Sequence, residues 1–233
     1  MDKQDFIKWV QKLLPDYRAN DDVAKQLANI DLIALVGPTG VGKTTIIEKL
    51  GLPYVPSDVT RLQRSGEKDG HEYYFRKDYF RMLDDIKAGL YAQFLVSHSN
   101  EFYGTRISSY PKSGPAVMAI VATAIPAFRQ LGFRKVIPIY ILPPGYTEWM
   151  RRIGTGRAGD LDARMQEAAE SLPTALADAN YKFVLNDDLE LAVKEVQTII
   201  DGGTISEHRE SLARSSADLL FGRLGVADDL LSF

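Results

Sequence analysis

The chain of 233 residues contains no cysteine, which excludes disulfides, thiolate metal sites and cysteine nucleophiles together. Histidine is almost as scarce, and His71, His98 and His208 stand far apart in sequence, which argues against a zinc centre. Charge of one sign is also lacking. The 28 Lys and Arg face 31 Asp and Glu for a formal net charge of −3, so no global basic field is available to hold a nucleic acid. The longest uncharged apolar stretch, Ala116 to Phe128, is too short to span a bilayer and contains Pro126. The first residues, Met1 to Asp5, mix charges and carry no apolar signal core. These absences describe a soluble cytoplasmic protein with neither a nucleic acid nor a membrane as partner. One further absence is local: no Asp or Glu occurs between Glu101 and Glu148.

What is present is an ordinary globular composition, 45% apolar and 25% charged, at a length that suits one well-buried domain with appendages. Phe6, Trp9, Val10, Leu13 and Leu14 recur at helical spacing up to Pro15. Leu32 to Val36 is continuously apolar and breaks at Gly37, as a buried parallel strand entering a turn would. Further apolar runs at Tyr91 to Val96, Ala116 to Val121, Val136 to Leu142 and Phe183 to Leu185 alternate with helical patterns at Tyr79 to Lys87, Thr147 to Ile153, Leu161 to Leu172 and Leu189 to Ile200. Strands alternating with helices predict an α/β fold, a three-layer sandwich around a central parallel sheet. After Gly202-Gly203 comes a tail in which Leu212, Leu219, Leu220, Phe221 and Leu224 are too apolar for a free linker. It reads as a helix packed on the body, with a homo-oligomer contact as the alternative.

Gly37-Pro38-Thr39-Gly40-Val41-Gly42-Lys43-Thr44, followed by Thr45, fits the phosphate-binding pattern G-x-x-x-x-G-K-[ST] between an apolar strand and a helix. Glycines let backbone N–H groups converge on phosphate oxygens, and the helix N-terminus adds positive potential. Lys43 then bridges the terminal phosphates, and the Thr44 hydroxyl is the metal-binding group, for Mg²⁺ carried with ATP. The segment Thr60 to Phe75 places Arg61 and Arg64 beside Gly66, Gly70 and the tyrosines Tyr73 and Tyr74. Arginine forks suit phosphate oxygens, although the run taken alone also fits a solvated hairpin.

That run, Thr60-Arg61-Leu62-Gln63-Arg64-Ser65-Gly66-Glu67, together with Phe102-Tyr103-Gly104-Thr105, Ile141-Leu142-Pro143-Pro144 and Val184-Leu185-Asn186-Asp187-Asp188-Leu189, resembles the guanylate kinase family in family order. The resemblance implies a P-loop domain over 31–201, with a nucleoside-monophosphate-binding insertion at about 57–115 and a short lid at about 151–164, flanked by an N-terminal helical extension at 1–30 and the tail at 202–233. It implies that Arg61, Arg64, Tyr73 and Tyr103 bind the acceptor's phosphate, that Ser57 and Thr105 reach its base, that Asn186 lies near the donor's adenine, and that Arg152 and Arg164 are catalytic lid arginines, with Arg157 a further candidate. The activity implied is transfer of the γ-phosphoryl group of ATP to GMP, dGMP or another nucleoside monophosphate. A non-catalytic module that binds protein segments is the alternative, against which stands the intact Lys43-Thr44.

Two departures fall in the acceptor pocket. Gln93 stands where the family carries a glutamate that accepts guanine's N–H groups, after allowance for one inserted residue, and a glutamine offers one acceptor and one donor group. The family's D-x-D-x-x-G strand end is replaced by Ala119-Ile120-Val121-Ala122-Thr123. The lid too is abbreviated to a short, glycine-rich Ile153 to Gly159.

Overall fold

The computed structural model of the chain describes residues 1–64, 66–97, 99–154 and 161–230, with backbone alone at 162–163 and 225–230. Arg157 lies outside the described residues. Helix α1 (Lys3–Leu13) begins where the Asp2 side chain accepts the Asp5 N–H, and Pro15 sits in the short 3₁₀ turn that follows it. Helix α2 (Asp21–Leu27) is capped in the same way by Asn20. Then come β1 (Ile30–Val36), α3 (Lys43–Leu50), β2 (Ser57–Val59), β3 (Tyr73–Phe75), α4 (Tyr79–Lys87), β4 (Tyr91–Val96) and β5 (Phe102–Arg106). The chain continues through β6 (Gly114–Ala119), α5 (Ile125–Gln130), β7 (Lys135–Leu142), α6 (Tyr146–Gly154), α7 (Leu161–Leu176), β8 (Lys182–Leu185), α8 (Leu189–Ile200) and α9 (Glu207–Leu230).

These strands form two sheets. The central one is parallel, in the order β6-β1-β7-β8, and all of β1 except Asp31 is fully buried. That burial explains why its sequence is a continuous apolar run. The second sheet runs β3-β2-β5-β4, with β2 parallel to β3 and β5 antiparallel to both β2 and β4. Tyr91–Val96 was expected among the parallel strands and lies in this second sheet instead. Only residues 97–101 separate β4 from β5, a link that allows a hairpin but not the crossover a parallel pair needs.

The chain divides into two compact units. The first comprises 1–32, 53–118 and 128–135. Its core joins Phe6, Ile7 and Val10 of α1 to Met82, Leu83 and Ile86 of α4 and to Tyr91, Phe94 and Phe102 of the second sheet. The Phe6 ring meets Phe102 edge-on at 5.6 Å, an aromatic geometry favourable beyond the area it buries.

The second unit comprises 33–52, 119–127 and 136–233. Here α9 lies on β8 and α7, burying Ala213, Ala217, Leu220 and Leu224, which recur at helical spacing on one face. Burying each leucine in this way contributes about 1.5–3 kcal/mol. Leu219 and Phe221 face outward.

Candidate nucleotide-binding sites

In the second unit, β1 ends at Val36 and the chain turns through Gly37–Gly42 into α3. Gly42 has φ +98°, and a Cβ there would meet the Asn186 amide nitrogen at 2.5 Å; one at Gly37, φ +134°, would meet the Ile141 carbonyl oxygen at 2.3 Å. Both positions therefore require glycine. Among the described residues no side chain caps α3, and a helix N-terminus of this kind suits an anion. Lys43 donates to the carbonyls of Gly37 (2.5 Å) and Pro38 (3.0 Å). Desolvation pulls its ammonium down to about 8, opposed by the charge of Glu167.

Side chains distant in sequence hold the loop. Trp149 of α6, fully buried, donates its indole N–H to the Thr39 carbonyl at 2.9 Å. Asn186 donates its side-chain amide to the Val41 carbonyl at 2.7 Å, so that amide supports the phosphate loop itself. Arg152 donates to the Asn186 carbonyl at 3.0 Å and to Glu148 at 2.8 Å. Two hydrogen bonds from Arg151, followed by those from Arg152, hold the Glu148 carboxyl at about 2. Arg164 lies half-buried in the first turn of α7.

The three residues after β8 divide their work. Asn186 holds the phosphate loop, Asp187 accepts both terminal nitrogens of Arg209 at 2.9 Å, and Asp188 caps α8 by accepting the Leu191 N–H at 2.8 Å. Arg209 also donates to Glu195 at 2.7 Å and to the Leu185 carbonyl at 3.0 Å. The hydrogen bond from Arg209 holds Asp187 below the usual carboxylate range.

In the first unit, β2 and β5 run side by side and bring sequence-predicted residues together. The Ser57 hydroxyl lies 3.2 Å from that of Thr105, which is fully buried, and Gln93 donates to Thr105 at 3.1 Å. Gln93 and Thr105 are also register partners. Nearby, the Arg61 guanidinium lies 4.8 Å from the Tyr73 ring centroid, and the Tyr73 and Tyr103 rings are 6.3 Å apart. Glu67 accepts two hydrogen bonds from Arg61, both at 2.8 Å, and one from the Arg64 backbone at 2.8 Å. Burial opposes the charge on Arg61, yet the Glu67 carboxylate outweighs it and raises the guanidinium's pKa. The Arg64 side chain is exposed.

A second layer behind this wall went unread in the sequence. Asp58 follows Ser57, so its side chain points to the opposite face of the sheet; there it is buried among Arg76 Nε (2.8 Å), Arg106 Nε (2.8 Å) and the Tyr91 hydroxyl (2.7 Å). Arg106 follows Thr105 in the same alternation and also donates to Asp85 at 3.0 Å. A register irregularity between Tyr91 and Gln93 lets these two residues serve opposite faces of one strand. Burial, then the charge of Asp58, raises the Tyr91 phenol, keeping it a hydrogen-bond donor.

A phosphate loop on a parallel sheet, with Lys43 at a helix N-terminus, defines a P-loop α/β protein. The family model for guanylate kinase matches residues 29–202, and the chain belongs to that family. Guanylate kinases similar to it include those of Prochlorococcus marinus, 31% identical over 72% of this chain and 96% of the relative, and Nostoc sp., 33% identical over 73% and 89%. Among solved structures, guanylate kinase from Anaplasma phagocytophilum shares the fold, with TM-score 0.56, 23% identity and coverage of 77% of this chain and 88% of that one. No described helix is long and apolar enough to cross a membrane, and the described residues contain no cluster of His, Asp and Glu that could hold a metal.

Proposed function

We propose that the chain transfers the γ-phosphoryl group of ATP to a nucleoside monophosphate, with GMP or dGMP the acceptor its family suggests. The observation that carries this reading is the glycine-rich loop, in which Lys43 stands at a helix N-terminus beside a conformation reserved for glycine at Gly42. Gly37 to Thr45 bind the triphosphate and Asn186 supports them, while Arg152 and Arg164 neutralise charge on the transferring group. In the acceptor site Arg61, Arg64, Tyr73 and Tyr103 take the phosphate, and Ser57, Gln93 and Thr105 meet the base. An attacking phosphate oxygen needs no general base, so positioning and charge neutralisation suffice.

The described donors fit a metal that arrives with its nucleotide. Thr44 supplies a hydroxyl, no carboxylate cluster competes, and Mg²⁺ is commonly held through substrate phosphates with several waters. When bound, it neutralises phosphate charge. A cytoplasmic setting belongs to the same reading, supported by ATP as the donor. Outward-facing Leu219 and Phe221 support a self-association surface on α9.

The base pocket supports a relaxed preference. Guanine presents two adjacent donors, whereas Gln93 offers one acceptor atom and already donates to Thr105. A coupled assay of ADP release with ATP, Mg²⁺ and each common ribo- and deoxynucleoside monophosphate tests the reading. Turnover with at least one acceptor is expected. Nucleotide binding with no acceptor phosphorylated would favour the non-catalytic module.

A further inference from the structure

We infer that α9, which lies beyond the family match, is a working part of the donor site, with Arg209 the positioning residue that orders the loop carrying Asn186. The inference rests on the reading of the phosphate loop as the ATP site.

The family match ends at residue 202, and α9 begins at Glu207. Its contacts nonetheless run to the ends of two central strands. Arg209 bonds Asp187 through two nitrogens and takes the Leu185 carbonyl with one of them. Seven residues along α9, the buried Ser216 hydroxyl donates to the Pro143 carbonyl at 2.7 Å, just past the end of β7. Ligands of open α/β sheets bind at the carboxyl ends of the strands, where these two loops lie.

The link to the phosphate loop is one residue long. Asn186, between the two residues Arg209 grips, donates to Val41 within the phosphate loop and accepts from Arg152. Its backbone N–H donates to the Leu142 carbonyl at 2.8 Å. The Asn186 amide occupies the space that a Cβ on Gly42 would need, so the glycine is what lets it reach the loop. The Arg209 guanidinium is itself tightly held, with only 14% of its side chain exposed and with Glu195, nearly buried, as a third carboxylate contact. A planar fork shared among two carboxylates and a carbonyl sets direction as well as distance, which a lysine does not reproduce.

The test measures the dissociation constant of ATP with Mg²⁺ by calorimetry on the full chain, alongside KM for ATP and for the acceptor. Arg209→Ala is expected to weaken ATP roughly 3- to 30-fold, the range for a residue acting on a site it does not touch. The acceptor KM should stay within about twofold, and Arg209→Lys should recover part of the loss. Leu220→Ala loosens α9 without touching Asp187; at a matched fall in Tm it should leave ATP affinity unchanged.

A folded Arg209→Ala protein with unaltered ATP affinity overturns the inference, and so does an equal ATP loss in Leu220→Ala. If Arg209→Ala does not fold, Asp187→Asn cuts the same link from the loop side, with the same outcomes expected. An unmodified chain that binds no ATP instead overturns the reading of the loop as the donor site.

Discussion

The two candidate sites are built from different materials. The donor loop is mostly backbone: glycine conformations, helix N–H groups and one lysine, arranged along residues contiguous in the chain. The acceptor wall is mostly side chain, with Arg61 held by Glu67 on one face of a small sheet and Arg76 and Arg106 converging on Asp58 on the other. A site made from backbone tolerates change wherever the loop keeps its shape. A site made from long charged side chains is sensitive to each carboxylate that aims them, since removing one leaves a buried partner unpaired.

The largest effect on turnover that would sharpen this contrast is expected at Lys43. Lys43→Ala should lower kcat by at least about 10²–10³-fold, as loss of a preorganised charge at a transferring group does, with Tm changed little because, among the described residues, its ammonium hydrogen-bonds carbonyls of its own loop. Near-normal turnover would remove the donor loop from the chemistry.

Asp58→Ala should act in the opposite way, costing about 3–5 kcal/mol of stability by removing the buried carboxylate that Arg76, Arg106 and the Tyr91 phenol share. Chemical denaturation would measure it, and a loss under 1 kcal/mol would show that the second layer is not what holds β2, β4 and β5 together. Next in size, Arg61→Ala should raise the acceptor KM or lower kcat by about 1.5–3 kcal/mol in effect, the value of a hydrogen bond to a charged group. ATP affinity should be unchanged, and an equal fall there would assign Arg61 to the scaffold.

Gln93→Glu tests how the wall reads a base. Restoring an acceptor-only side chain should shift kcat/KM toward GMP, relative to AMP, UMP, CMP and TMP, by about 1–3 kcal/mol. Strong selectivity for GMP in the unmodified chain would mean that Ser57, Thr105 or backbone groups read guanine without a carboxylate.

The smallest effect is a pH dependence of the donor loop. Its ammonium titrates at about 8 in the free protein because burial disfavours the charged form. Phosphates favour that form, so binding ATP restores the proton. Affinity should therefore hold below about pH 8 and weaken as pH rises above it, with net proton uptake on binding. Calorimetry in buffers of different ionisation heat would detect this, and the term should vanish in Lys43→Met.

The same contrast explains what could be read in advance. The strand, glycine turn and helix around Lys43 were legible because their logic is local: an apolar run, then glycines and a lysine at fixed spacing. The second sheet was less so, since β2 and β3 are only three residues long and alternate faces too briefly to give a period. β4 hid its open face, because the exposed position is filled by the apolar Leu95 and the run therefore reads as buried on both sides.

Sequence alone determined that residues 37–44 turn from an apolar strand into a helix through closely spaced glycines, because that turn is encoded by neighbours along the chain. It also determined that the segment between Glu101 and Glu148 supplies no carboxylate to any site, which no folding can alter. Tertiary structure alone decided that Asp58 meets Tyr91 33 residues away, that Trp149 reaches Thr39 across 110, and that Arg209 grips Asp187 across 22. A charged or aromatic side chain on a helix or strand looks the same in sequence whether it faces water or a partner. Its role is set by which distant element packs opposite it, and that is decided when the apolar faces of those elements close.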